Sequence, residues 1–263
     1  VSYEDLISAV MPDSGALYAH AAPAVKNRED FNRYPWAEVP DRFFDAYRQN
    51  YNTLRETMPP GMRAIGGPGN GIFECVQDIV SFEELCYIRM DDPGLYADIF
   101  DAVGNIFGAI WKRFIEEYSD LYAVFRFGDD LGFKNGLLLS PEDVRGYIIP
   151  QYRKVIKLVH EAGKPFLLHS CGNIFDVMDD LIDVGGIDAK HSNEDIIAPF
   201  SVWIERYGER IGNFGGVDTD ILCQKSRQEI AEYVTEVIHY SRPAGGFALG
   251  SGNSIPDYVP PEG

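Results

Sequence analysis

His169 and Cys171 stand two residues apart at the end of the apolar run Pro165 to Leu168, immediately before a Gly172-Asn173 turn. In an extended segment successive side chains point to opposite faces, so these two leave the backbone on the same side, close enough to share one ion. An imidazole nitrogen and a thiolate sulfur together suit zinc. The same pair also describes a hydrogen-bonded core histidine beside a buried, unreactive thiol, and the residues gathered around it in space decide between the two.

Other chemistry-bearing residues recur at the same kind of place. Short apolar runs at Met62 to Ile65, Ala123 to Phe127, Pro165 to Leu168, Ile187 to Lys190, Ile211 to Phe214 and Gly246 to Leu249 predict strands. Each is followed at once by polar or glycine-rich residues: Gly66-Gly67-Pro68-Gly69-Asn70, Gly128-Asp129-Asp130, His169-Ser170-Cys171-Gly172-Asn173, His191-Ser192-Asn193-Glu194, Gly215-Gly216-Val217-Asp218 and Gly250-Ser251-Gly252-Asn253. A (β/α)8 barrel builds its active site from C-terminal strand ends, so one pocket would collect all of these turns. A doubly wound open sheet is the competing architecture, but it gathers ligands at one switch point and has no use for so many decorated ends. The glycine-rich run from Gly66 to Gly71 lacks the lysine and the serine or threonine of a phosphate loop, which argues against nucleotide binding.

The elements that must position these turns alternate strand with capped helix, the order of a parallel sheet. Ser140 as N-cap, Pro141 and Asp143 open a helix whose Val144, Ile148, Val155 and Val159 fall at helical spacing and which Gly163 closes. Asp92-Pro93 opens a long helix to about Tyr118, and Ser81 with Glu84 and Ser226 with Glu229 open others. The pairs Asp91-Asp92, Asp179-Asp180 and Glu83-Glu84 read as helix ends or solvated faces, without a part in catalysis.

The chain has 263 residues, 45% of them apolar, enough for one barrel-sized domain over residues 1–263. Its net charge of -18 is spread along the sequence with no acidic tail, so a phosphate-tracking surface and a nucleic-acid partner are not expected. No run approaches the roughly 18 consecutive apolar residues of a membrane helix, and the N-terminus lacks the basic-then-apolar order of a secretion signal. A cytoplasmic protein without a membrane partner is the expectation. Cys75, Cys86, Cys171 and Cys223 are scattered, which predicts reduced thiols.

Taken in order, Phe125-Arg126-Phe127-Gly128-Asp129-Asp130, Leu139-Ser140-Pro141-Glu142-Asp143, His169-Ser170-Cys171-Gly172-Asn173, Gly215-Gly216-Val217-Asp218 and Pro256-Asp257-Tyr258-Val259-Pro260-Pro261-Glu262 resemble the uroporphyrinogen decarboxylase superfamily, and within it the corrinoid-dependent methyltransferase branch. The likeness runs from about Tyr34 to the end. It implies a TIM-type (β/α)8 barrel and, for that branch, a zinc held by a His-x-Cys pair plus a more distant ligand, whereas the decarboxylases use neither metal nor cofactor. It also implies relatives longer at both ends, so that this barrel is incomplete at its N-terminus and lacks a last helix after Gly263. One departure matters for the metal. Ser251 stands between Gly250 and Gly252, where thiol-methylating members carry a cysteine and the decarboxylases a histidine.

With that cysteine replaced, Glu74, just past the glycine-rich turn, is the preferred third zinc ligand, since zinc accepts carboxylate oxygen. An ordinary acid in the first turn of a helix is the other reading of the same residue. Asp130, His191, Glu194 and Asn253 are further candidates, whether for the metal, for substrate or for orienting His169. Asp130 and Glu74 are the candidates for catalysis, and Asn70, Asp129, Asn193, Asp218, Ser251 and Asn253 for substrate binding. The barrel reading places Asn70, Asp130, His169, Asn193, Asp218 and Asn253 around one mouth.

The chemistry that the resemblance implies is methyl transfer between a small substrate of the methoxylated or methylamine type and a corrinoid (cobalamin) carried by a partner protein. Cobalt(I) must displace an alkoxide, phenolate or amine, all poor leaving groups, and a Lewis acid on the leaving atom lowers that barrier. In the reverse direction the ion holds a thiol acceptor as thiolate, with a pterin as the other acceptor type. A His-Cys or His-Cys-Glu site carries less negative charge than a tris-cysteine site, which favours O-demethylation. A homodimer is compatible with this picture. Two other readings stay open. One is a tetrapyrrole carboxy-lyase in which Asp129 or Asp130 faces the pyrrole nitrogens; it predicts an arginine-rich cleft, and only Arg126 and Arg63 lie near strand ends. The other is a non-catalytic corrinoid- or tetrapyrrole-binding barrel.

Overall fold

Apolar runs too short for helices pair as strands, and the capped amphipathic runs between them carry the chain back across the sheet, so every pairing in the main sheet is parallel. The computed structural model describes residues 23–260. In chain order its principal elements are α1 (Arg28–Arg33), α2 (Val39–Thr57), β1 (Ala64–Gly66), α3 (Ile72–Val80), α4 (Phe82–Asp91), α5 (Pro93–Tyr118) and β2 (Tyr122–Gly128). Then follow β3 (Gly132–Phe133), β4 (Gly136–Leu137), α6 (Ile149–Glu161), β5 (Phe166–His169), β6 (Ala189–His191), α7 (Phe200–Tyr207), β7 (Gly212–Val217), α8 (Thr219–Gln224), α9 (Arg227–Ser241) and β8 (Phe247–Ser251). Pro261 and Glu262 of the C-terminal motif lie outside the described residues.

The six-stranded sheet has the order β1-β2-β5-β6-β7-β8, which is chain order once the small antiparallel β3-β4 hairpin is set aside. A doubly wound sheet reverses its order at a switch point; this one never does. Among the described residues it is an open, curled sheet with β1 and β8 as edges, flanked by helices, and it matches an incomplete (β/α)8 architecture. The predicted strands at all of the decorated positions are present, shifted by a few residues at their ends. The β3-β4 hairpin was not expected: with two residues in each strand it is too short to show an alternating pattern.

Alternation along β2 decides what reaches the site. Phe125 and Phe127 are fully buried and face the helices, where Trp111 of α5 meets the Phe125 ring edge-on at 5.7 Å and Tyr152 of α6 meets Phe127 at 5.0 Å. Phe166 of β5 continues that aromatic layer, 4.8 Å from Phe127. Arg126 and Gly128 therefore face the other way, into the cavity that His169 also lines. Register places Gly128 opposite His169, and His169 opposite His191.

The caps form as the sequence requires. Asp92 accepts from the Leu95 N–H, Ser81 from Glu84 and Ser140 from Asp143, and Ser226 with Glu229 makes the full reciprocal box. One expected helix differs in detail. Between Ser140 and Gly163 the chain makes an α-helical turn over Pro141–Asp143, widens to π geometry over Val144–Ile148, and only then continues as α6. Pro150 has no N–H to bond the carbonyl four residues back, so the regular ladder cannot run through this point. Gly163 then closes the helix at φ +68°, as predicted. None of the four cysteines forms a disulfide, and among the described residues no helix is long and apolar enough to cross a membrane.

Candidate metal site

The strands being parallel, their C-terminal ends share one rim, and the residues just past β2 and β5 converge there. Asp130, His169 and Cys171 each offer one donor atom, and the three atoms lie within 4.8 Å of one another. Cys171 Sγ is 3.4 Å from His169 Nε2, and Asp130 Oδ1 is 3.9 Å from the same nitrogen. Donors around a tetrahedral zinc are separated by roughly 3.3–3.8 Å, given bond lengths of about 2.0–2.3 Å. The donor types suit zinc, with the 3.4 Å pair inside that range and the 3.9 Å pair just beyond it.

A chain of hydrogen bonds presents the correct imidazole nitrogen. His191 Nε2 lies 3.0 Å from the Ser251 carbonyl, which can only accept, so His191 carries its proton on Nε2 and offers Nδ1 as an acceptor. His169 Nδ1 lies 2.6 Å from that atom and must donate to it. The lone pair of His169 is thereby left on Nε2, facing Cys171 and Asp130. Burial, reinforced by the adjacent His191, pushes the His169 pKa down to about 3, so the ring is neutral and ready to ligate.

Cys171 is held from several sides. Its N–H donates to Asp130 Oδ1 at 2.8 Å, while Asn253 Nδ2 at 3.2 Å and Ser192 Oγ at 3.5 Å donate to its sulfur. Burial and the charge of Asp130 push the thiol up to about 11, so the metal-free protein holds it protonated and metal binding must release that proton.

The third donor gathered with His169 and Cys171 is Asp130; Glu74, the expected third ligand, is not among the three, and its Oε1 accepts the Asp130 backbone N–H at 3.3 Å. Glu74 still lines the cavity of about 340 Å³ beside the cluster, together with Asn70, Arg126, Asp130 and His169. Burial, with Asp129 and Asp130 close by, pushes its carboxyl up to about 8. Asp129 does not line this cavity. It is fully buried and accepts from the backbone N–H groups of Phe73 and Glu74, both at 2.9 Å, and from the Tyr152 hydroxyl at 2.5 Å. It caps α3 from just past the end of β2, since the local N-cap, Gly71, has no side chain to offer.

The remaining expected residues divide in the same way. Asn70 lines the cavity and Asn253 touches the cluster through Cys171. Ser251 contributes through its carbonyl to His191. Asn193 and Asp218 are buried on the same rim but turned to the backbone: Asn193 Oδ1 accepts from Gly216, and Asp218 caps α8 while accepting from Asp195. Glu194 is not among the cluster donors. Two contributors had no sequence-level role. Ser192 stands beside His191 at a decorated strand end, which was a usable signal, whereas Tyr152 lies inside a helix and gave none.

The sequence model of the family described as Uroporphyrinogen decarboxylase (URO-D) matches residues 11–263. Among solved structures, the fold is similar to that of a methyltransferase from Methanosarcina mazei, with a TM-score of 0.61 and 17% identity over 89% of this chain and 63% of that one. The chain thus spans less than two thirds of that protein, and at this identity the likeness concerns the fold alone. No curated protein matches the sequence.

Proposed function

The chain belongs to the uroporphyrinogen decarboxylase family, and from that premise we propose that it is a zinc-dependent methyltransferase acting between a small methylated substrate and a corrinoid carried by a partner protein. The observation that carries this reading is the convergence of Asp130, His169 and Cys171 on one point beside an open cavity. A metal-free decarboxylase has no use for such a donor set. Bound there, zinc would supply a Lewis acid to the leaving oxygen or nitrogen, and the corrinoid cobalt would receive the methyl group. Asp130, His169 and Cys171 hold that position, and His191 fixes which nitrogen of His169 faces it. Glu74, on the cavity wall and bonded to the Asp130 N–H, is the group we assign to proton transfer at the leaving heteroatom. Asn70 is placed to hydrogen-bond the substrate.

A second reading, tetrapyrrole decarboxylation, is favoured by the description of the family itself. Its substrate carries many carboxylates and calls for several cations, whereas Arg126 is the one basic side chain lining the cavity among the described residues. The discriminating experiment is elemental analysis followed by single-turnover transfer. Protein purified without chelator should hold about one zinc per chain, lose it in Cys171→Ala, and methylate cobalt(I) corrinoid from a methoxylated or methylamine-type compound, seen in the corrinoid's visible spectrum. Decarboxylation of uroporphyrinogen by zinc-free protein, retained in Cys171→Ala, would overturn the proposal. Zinc binding with no transfer from any donor would leave a binding protein.

A further inference from the structure

Arg126 enters the cavity from β2 and is only partly exposed. A guanidinium stays charged at any physiological pH and presents its donors as a rigid fork. Beside two acids it would ordinarily be engaged by them, yet it makes no hydrogen bond to any described side chain and interacts with Glu74 and Asp130 only at longer range. The reason is visible in what those acids do instead. Glu74 is turned to the Asp130 N–H and Asp130 to the Cys171 N–H. A partly desolvated cation is thus left with its donors open to the cavity, an arrangement that is costly unless something else occupies it.

Gly128 supplies the space for that occupant. A Cβ at this position would lie 3.5 Å from the His169 ring and 4.0 Å from a terminal nitrogen of Arg126, so the absent side chain leaves one open point bordered by both groups. We propose that Arg126 is the anchor for the carboxylate of the methyl donor, and that the substrate class is a small methylated monocarboxylate whose methylated oxygen or nitrogen reaches the Asp130, His169 and Cys171 cluster across Gly128. A planar carboxylate satisfies the fork with paired hydrogen bonds, which a neutral ether or amine cannot do. The nearby carboxylate of Asp130 works against a dianion such as phosphate, and a cavity of about 340 Å³ limits the ligand to a small molecule.

This inference rests on the methyl-transfer reading, but its test is a binding measurement that needs no corrinoid. Zinc-loaded protein is titrated with 4-methoxybenzoate and with 4-methoxybenzamide, and likewise with N,N-dimethylglycine and its primary amide. In at least one pair the carboxylate should bind about tenfold tighter or more, the equivalent of one charge-assisted contact. Arg126→Ala should bring that pair to parity, and Arg126→Lys, which keeps the charge without the fork, should fall between. Zinc content and thermal midpoint of each variant show whether the fold survives, and Arg126→Lys keeps the comparison available if the alanine variant does not fold. Equal binding of acid and amide in both pairs by the wild type, or a preference that persists undiminished in both variants, overturns the assignment. The two ideas fail separately: an Arg126-dependent preference without transfer to cobalt(I) refutes the methyltransferase, and transfer without any carboxylate preference refutes the anchor.

Discussion

His191 touches no expected metal ligand atom, yet it determines which atom His169 presents. Removing its ring frees His169 Nδ1 from its 2.6 Å partner and lets the imidazole rotate or change tautomer. His191→Ala should therefore weaken zinc binding by about 10–100-fold, measured by competition with a chelator, while one zinc still binds at saturation. Unchanged affinity would mean that packing alone orients His169. At this scale the sequence was legible where the rule is local. Cys171 lies just past the end of β5, and the Ser170 N–H bond to the His191 carbonyl carries the period-two alternation far enough to keep it on the His169 face. The third donor was not legible. Glu74 and Asp130 are both acids just past a strand end, each accepting a backbone N–H, and only the folded chain brings Asp130 Oδ1 to 3.9 Å from His169 Nε2.

Asp129 shows the same limit for an element. The first turn of α3 needs acceptors for its N–H groups, and Gly71 offers none, so the cap comes from the end of β2. The approach is so close that a Cβ on Gly71 would lie 2.1 Å from the Asp129 Cβ. Asp129→Ala should cost roughly 2–4 kcal/mol in urea unfolding, combining a lost cap with stranded buried donors. Gly71→Ala should destabilise through the same contact, and the double variant should lose less than the singles predict together. Additive losses would mean that the two residues act independently. A cap reaching across more than fifty positions of sequence leaves no local pattern, unlike the caps at Ser81, Asp92, Ser140 and Ser226, whose donors and acceptors lie within one turn.

For the molecule as a whole, the contact between sheet and helices carries an unusual charge. Lys190 of β6 faces the helix side, with Nζ 3.8 Å from the Trp203 ring centroid of α7 and donating to the Ser192 carbonyl. Burial pushes its ammonium down to about 7. Between that value and the ordinary lysine value near 10.4 the unfolded chain binds more protons than the folded one, so this residue makes stability rise with pH, by up to about 1.4 kcal/mol per unit. Below pH 7 both states are charged and the burial cost is felt in full. Lys190→Met should accordingly be more stable than wild type at pH 6, with the advantage shrinking by pH 9, as read from urea midpoints. An advantage that does not change with pH would show that Lys190 is not the titrating group.

The sequence by itself determined the alternation of strand and helix, the caps, the common rim of the decorated strand ends and the shared face of His169 and Cys171. Each of these follows from periodicity or from hydrogen bonds closed within a few residues. Tertiary structure alone decided the uninterrupted strand order, the gathering of Asp130 rather than Glu74 with His169 and Cys171, the withdrawal of Asp129, Asn193 and Asp218 into backbone contacts, and the unengaged guanidinium of Arg126. A carboxylate or a guanidinium has several donors or acceptors within reach in a folded chain, and which one it takes depends on residues that share its space without sharing its stretch of sequence.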